Sequence, residues 1–166
     1  MRSEKRQVLS HKKQNRAIIP IYSKHGKEVK KVTLNITAGE ELNKILSQNC
    51  GVYVPFNEAM IRGRFSAPLF SEEFIEERCS VHGVSREEYL ANMAPFLKAM
   101  DHLKDYDSVV LWFGDEDFCR ANRSAVILYL GLRGCKVPVT LNIVDEYSGQ
   151  VLRSEKVEIS NICGTC

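Results

Sequence analysis

Long apolar runs are missing from this 166-residue sequence. The longest, Ala125 to Leu132, is interrupted by Gly131 and falls well short of the ~20 residues that span a bilayer. The basic N-terminus leads only into the short apolar stretch Ala17 to Tyr22, which does not read as an export signal. The expectation is therefore a cytoplasmic chain with no membrane association. Proline is scarce at 5 and glycine modest at 10, which excludes collagen-like and low-complexity architectures. Nucleophile elbows of the G-x-S-x-G type, Walker loops and G-x-G-x-x-G turns are all absent, so the commonest signatures of acyl and phosphoryl chemistry do not apply. Ligand spacing is missing too. Four of the six cysteines, Cys50, Cys79, Cys119 and Cys135, are scattered, and Cys163-Gly-Thr-Cys166 has neither a second pair nor a nearby histidine. A structural zinc site needs four ligands.

What is present is enough apolar material for a core. Apolar residues make up 44% and charged residues 27%, which rules out disorder throughout and fits one soluble domain. The net charge of +2 is unevenly spread. Residues 1–31 hold ten Lys or Arg against two acids, a net +8, so the remaining 135 residues carry −6. Residues 1–16 read as a solvated basic arm, residues 17–160 as a single α/β domain and residues 161–166 as a flexible tail. The arm admits weak nonspecific nucleic-acid contact through phosphate neutralisation, or folding onto its own acidic body. No aromatic residue interleaves its charges before Tyr22, which disfavours a stacking platform for single strands.

Hydrophobic spacing sets the order of elements. Ala17 to Tyr22 is β-compatible but restricted to an edge by Pro20. Val32, Leu34 and Ile36 alternate as a strand, Leu42, Ile45 and Leu46 follow as a short amphipathic helix, and Gly51 to Val54 form a second strand. Residues 57–69 read as a loop. Ser71 caps a helix with the inward stripe Phe74, Ile75, Arg78 and Cys79, stopped by Gly83. Ser85 and Glu88 have capping-box spacing. The helix after them carries Leu90, Met93, Ala94, Leu97, Met100 and Leu103 over about 28 Å, with a bend expected at Pro95. Ser108 to Phe113 is continuously apolar, as a strand buried on both faces should be. A helix from Phe118 to Leu132, with Gly134 as its cap, leads to a fourth strand over 137–144 and an antiparallel partner over 151–159. The expected fold is a mostly parallel four-stranded sheet with helices on both faces, extended by an antiparallel strand or hairpin.

All four parallel strands end in carboxylates: Glu40 and Glu41, then Glu58, then Asp115, Glu116 and Asp117, then Asp145 and Glu146. In open α/β sheets, ligands bind outside the carboxyl ends of the strands. One reading is an acidic crevice for a hard cation such as Mg²⁺, with Glu40, Glu58 and Asp115 as its ligands. The other is that these acids serve helix N-termini, where capping and the dipole favour them. Gly39, Glu40, Glu58, Asp115, Asp117 and Asn122 are the candidate ligand-binding residues on either reading. His11, His25, His82 and His102 fall in the arm or on helices rather than after strands. Cys119 falls in the first turn of a helix, where the dipole lowers a thiol pKa unless the side chain is simply core.

The stretch Leu111-Trp-Phe-Gly-Asp-Glu-Asp-Phe-Cys119, followed by Asn122, resembles the signature of a bacterial domain of unknown function, the family numbered eighteen thirty-five. The resemblance runs from about Val32 to Gly149 and takes in Gly39-Glu40 and Phe56-Asn-Glu58 before Gly63. It implies an α/β domain with the same acidic edge and brings no assigned activity. Asn35, Asn57 and Arg120 stand where the family has histidine, arginine and glutamine, which implies binding without turnover. Two functions follow. The first is a regulatory module that binds a small molecule or a protein partner. The alternative is a divalent-metal-dependent enzyme acting on a phosphorylated or nucleotide-like ligand.

Overall fold

A computed structural model describes residues 31–159. The strand expected over 17–22, the basic arm and the Cys163–Cys166 pair lie outside the described residues. In chain order the elements are β1 (Thr33–Thr37), α1 (Gly39–Leu46), β2 (Val52–Pro55), α2 (Glu72–His82) and α3 (Arg86–Asp101). A 3₁₀ turn (Leu103–Asp105) then leads to β3 (Ser108–Phe113), α4 (Asp117–Leu132), β4 (Val139–Val144) and β5 (Val151–Val157). They build one sheet of five strands in the order β2-β1-β3-β4-β5. The first four strands run parallel and β5 pairs antiparallel with β4. The α/β class and the mostly parallel sheet are as expected, but the count is five strands rather than four, because the antiparallel extension belongs to the same sheet. No helix among the described residues is long and apolar enough to cross a membrane.

The local signals explain the helix ends. Ser71 Oγ accepts from Phe74 N at 3.2 Å and Ser85 Oγ accepts from Glu88 N at 3.1 Å, so α2 and α3 start on side-chain caps. Gly83, at φ 66°, ends α2 in the left-handed conformation that glycine adopts without strain. At the end of α4, Gly134 N donates to Gly131 O and Cys135 N to Leu130 O, both at 3.0 Å. That pair of bonds is a Schellman motif closing the helix.

The two faces of the sheet differ. Leu34, Ile36, Val54, Val109, Leu111, Phe113, Val139, Leu141 and Ile143 form a buried layer packed against α2, α3 and α4. On the opposite face a small cluster joins Leu42 and Leu46 of α1 to Val144, with Tyr53 and Trp112 packed against it. Two expectations are corrected by this asymmetry. The strand β3 is not buried on both faces, because Val109, Leu111 and Phe113 are buried while Val110 and Trp112 are only partly so. The seam of α3 is Tyr89, Met93, Phe96, Ala99 and Met100, with Leu90 and Leu97 half-buried beside it and Ala94 exposed. That helix is 16 residues, about 24 Å, and runs through Pro95.

Candidate functional site

The order of strands reverses between β1 and β3, so the loops leaving their carboxyl ends diverge to opposite faces. After β1 the chain turns at Gly39, φ +82°, into α1, whose first turn exposes Glu40 and Glu41. Ala38 N donates to Trp112 O at 2.9 Å, tying this turn to β3. After β3, Gly114 lies so close to Glu146 that an added Cβ would sit 2.8 Å from Glu146 Oε1. Neither Ala38 nor Glu116, the N-cap residues of α1 and α4, makes a side-chain cap, unlike Ser71 and Ser85.

Glu58, after β2, goes the other way. Its side chain and that of Arg78 are both 0% exposed, joined by Arg78 Nη2 donating to Glu58 Oε1 at 2.7 Å. The same oxygen accepts from Ala59 N at 2.7 Å and contacts His82 Nε2, which also lies 3.2 Å from Arg78 Nη2, so the ring donates to Glu58 or accepts from Arg78 according to its tautomer. Tyr89 OH donates to Oε2 at 2.6 Å. Burial alone would raise the Glu58 pKa, but the bonds from Arg78, Tyr89, Ala59 and His82 outweigh it and hold the carboxyl below its ordinary value. Burial, reinforced by the bond to Glu58, pushes the Tyr89 phenol up. Arg78 also donates through Nη2 to Ala59 O at 2.8 Å and through Nη1 to Arg62 O, while its Nε has no partner.

Asn122 completes this cluster from α4. Its Nδ2 donates to Glu58 O, and its Oδ1 accepts from Met60 N at 2.9 Å. Two of the expected site residues, Glu58 and Asn122, are therefore brought together, with Asn122 gripping the backbone of the loop that carries Glu58.

The others stand apart. Asp115 is exposed and lies 3.4 Å from Arg120 and 3.5 Å from Arg123. The bond from Arg120, with Arg153 and Arg123 nearby, lowers its carboxyl pKa despite slight desolvation. Asp117, exposed at the start of α4, is 3.8 Å from Arg120. Asp145 accepts from Ser148 N at 2.8 Å and Ser148 Oγ at 2.6 Å, closing its own turn. Among the described residues no group of three or more His, Cys, Asp or Glu is arranged to hold a metal. The expected ligand trio Glu40, Glu58 and Asp115 is not assembled. The reason is topological: α1 carries Glu40 on one face of the sheet, while Arg78 draws Glu58 into the layer beneath α2 and α3 on the other.

Cys119 donates its thiol hydrogen to Glu146 and is buried, and these two causes, burial first, push its pKa up to about 12. Of the two readings of this thiol, the core residue is the one its burial supports.

Arg78, His82 and Tyr89 were not among the expected site residues. Arg78 did stand on the inward stripe of α2 beside Phe74 and Ile75, and a charge on a buried stripe requires an ionised partner. Asn35, also 4% exposed, accepts from Trp112 Nε1 at 3.0 Å and donates to Val52 O at 3.3 Å, so it ties β1 to both neighbouring strands. Two depressions lie at the opposite, amino-terminal edge. One of about 510 Å³ is lined by Val52, Pro95 and Tyr106, and one of about 440 Å³ by Cys135, Pro138 and Val157. Compared with known proteins, the chain matches no protein-family model, no curated protein and no solved structure.

Proposed function

We propose that this chain is a non-catalytic, regulatory binding module that takes a ligand or protein partner at the carboxyl edge of its parallel sheet. The observation that carries this reading is the condition of Glu58. A carboxylate that is ionised, fully enclosed and bonded to Arg78, Tyr89, Ala59 and His82 is framework. Its Oε1 is engaged by Arg78, Ala59 and His82 and its Oε2 accepts from Tyr89, and enclosure by Arg78 leaves no open side for a substrate or a hydrated cation. Asp115 is likewise compensated by Arg120 and Arg123. What the edge does offer is the exposed Glu40, Asp115 and Asp117, with the half-buried Gly39 beside them, on the two loops that flank the reversal of strand order. The uncapped first turns of α1 and α4 add main-chain donors there. The resemblance to the domain family numbered eighteen thirty-five belongs to the same proposal, since it covers Gly39-Glu40, Glu58 and the Leu111 to Asn122 stretch.

The test is a titration of isotope-labelled protein, followed by amide resonances, with adenosine monophosphate, glucose 6-phosphate, spermidine and MgCl₂ as separate probes. Saturable shifts concentrated at residues 38–41 and 114–118 are expected from at least one organic probe. Shifts from none of the organic probes, or shifts confined to other parts of the sheet, would overturn the placement of the site.

A further inference from the structure

The loop between β2 and α2 combines a costly interior with an exposed tip. Beneath it, the enclosed Arg78 donates to Arg62 O and Ala59 O, and Asn122 holds Glu58 O and Met60 N. Further along, Ser66 donates through both its backbone N and its Oγ to Glu77 of α2. Gly63, at φ +67°, lies against Val81 so closely that an added Cβ would sit 2.5 Å from Val81 Cγ2. Burying an arginine whose Nε stays unpartnered is unfavourable by itself. The return is a surface loop whose backbone is fixed.

The side chains this backbone displays are Ile61-Arg62-Gly63-Arg64-Phe65. Ile61 is 54% exposed, Phe65 43% and the adjoining Val81 37%. Arg62 and Arg64 are exposed, and no ion pair among the described residues uses them. Fixed backbone, exposed aliphatic and aromatic groups and arginines together are the composition of an interface hot spot, and a prearranged loop loses little entropy on binding.

We infer that this loop is a docking surface for an acidic protein segment bearing apolar side chains. The charge of the tip selects the sign of the partner. The apolar groups select its class: Ile61 and Val81 offer nothing for base stacking, and the Phe65 ring is engaged edge-to-face with Phe74 at 5.8 Å. A peptide that alternates acids with Leu or Phe satisfies both halves of the surface. This inference rests on the binding-module reading and gives the module a protein partner on the loop after β2, apart from the groups at 38–41 and 114–118.

Fluorescence anisotropy with three labelled probes tests it on the full chain: a peptide of about 15 residues alternating Glu with Leu and Phe, a poly-glutamate of equal length, and a single-stranded oligonucleotide. The mixed peptide is expected to bind, and poly-glutamate roughly tenfold more weakly. Ile61→Ser, and Arg62→Glu combined with Arg64→Glu, should each weaken the mixed peptide by about tenfold while leaving the melting curve of the parent. Loss through Glu40→Lys with Asp117→Lys instead would move the partner to the reversal point, overturning this inference and sparing the wider reading. Failure of the mixed peptide to bind, equal binding of poly-glutamate, or tighter binding of the oligonucleotide would overturn it. So would self-association in sedimentation that the Ile61→Ser variant abolishes, since the occupant would then be a second copy.

Discussion

Glu58 keeps its charge in a place water does not reach, and Arg78 is the reason. Glu58→Gln preserves the shape but leaves the guanidinium enclosed without a counter-charge, which should cost about 3–5 kcal/mol of stability. The pH dependence has a definite sign. The folded-state carboxyl titrates below its ordinary value of 4.5, so its contribution is complete above that value and is lost as pH falls through the folded pKa. Melting curves of parent and Glu58→Gln between about pH 7 and about pH 3 should show a constant gap that narrows only in the acid range. Exposed Asp115 and Asp145 are also lowered and titrate in both proteins, so they cancel in the difference. A gap that stays constant to the lowest pH would mean the carboxyl is not held ionised by this network. The sequence marked Glu58 and Asn122 as site residues but not their partners. A strand end is visible as a position in the chain, whereas the identity of what meets it depends on which face the next helix takes.

At the scale of elements, β3 shows what hydrophobic pattern conveys and what it does not. Six consecutive residues of a central strand are legible as a strand, yet an unbroken apolar run cannot say how thickly each face is covered. Here three helices cover one face and the eight-residue α1 the other. Val109→Thr, an isosteric change at a fully buried position, should cost about 1–3 kcal/mol, because the hydroxyl loses water without gaining a partner. Val110→Thr, one residue on and only partly buried, should stay within about 0.5 kcal/mol. Equal losses in denaturant melts would mean that both faces are dry after all. The expected stripe of α3 holds at Met93, Met100 and Leu103 and departs at Leu90, Ala94 and Leu97 for a related reason. Leu90 and Leu97 repeat at nearly the spacing of Tyr89, Met93, Phe96 and Met100, and two adjacent apolar rows fix a helix without fixing which row faces inward. Caps are more decisive, since Ser71, Ser85 and Gly83 each stand at the helix boundary their chemistry predicts.

Across the whole molecule, four acidic strand ends meet a sheet that separates them. At three of the four, the charges expected to crowd one another are instead matched locally: Glu58 by Arg78, Asp115 by Arg120 and Arg123, Asp145 by the donors of its own turn. None of these three carboxyls is raised, the signature that mutual repulsion would leave. A divalent cation therefore has no repulsion to relieve at these three carboxyls. A site with Kd near 0.1 mM would add RT ln(1 + [L]/Kd), about 1.4 kcal/mol at roughly 1 mM metal. For a chain of this size that is a rise of about 3–5 °C in Tm. Melting curves with and without MgCl₂ or MnCl₂ at that concentration should coincide to within about 1 °C for the parent and for Asp115→Asn alike. Asp115→Asn removes the charge that balances Arg120 and Arg123 and leaves Glu116, where α4 begins, untouched, so it tests the ligand role without unmaking α4. A rise of several degrees in the parent that Asp115→Asn abolishes would restore the metal-dependent enzyme as the better account of this edge.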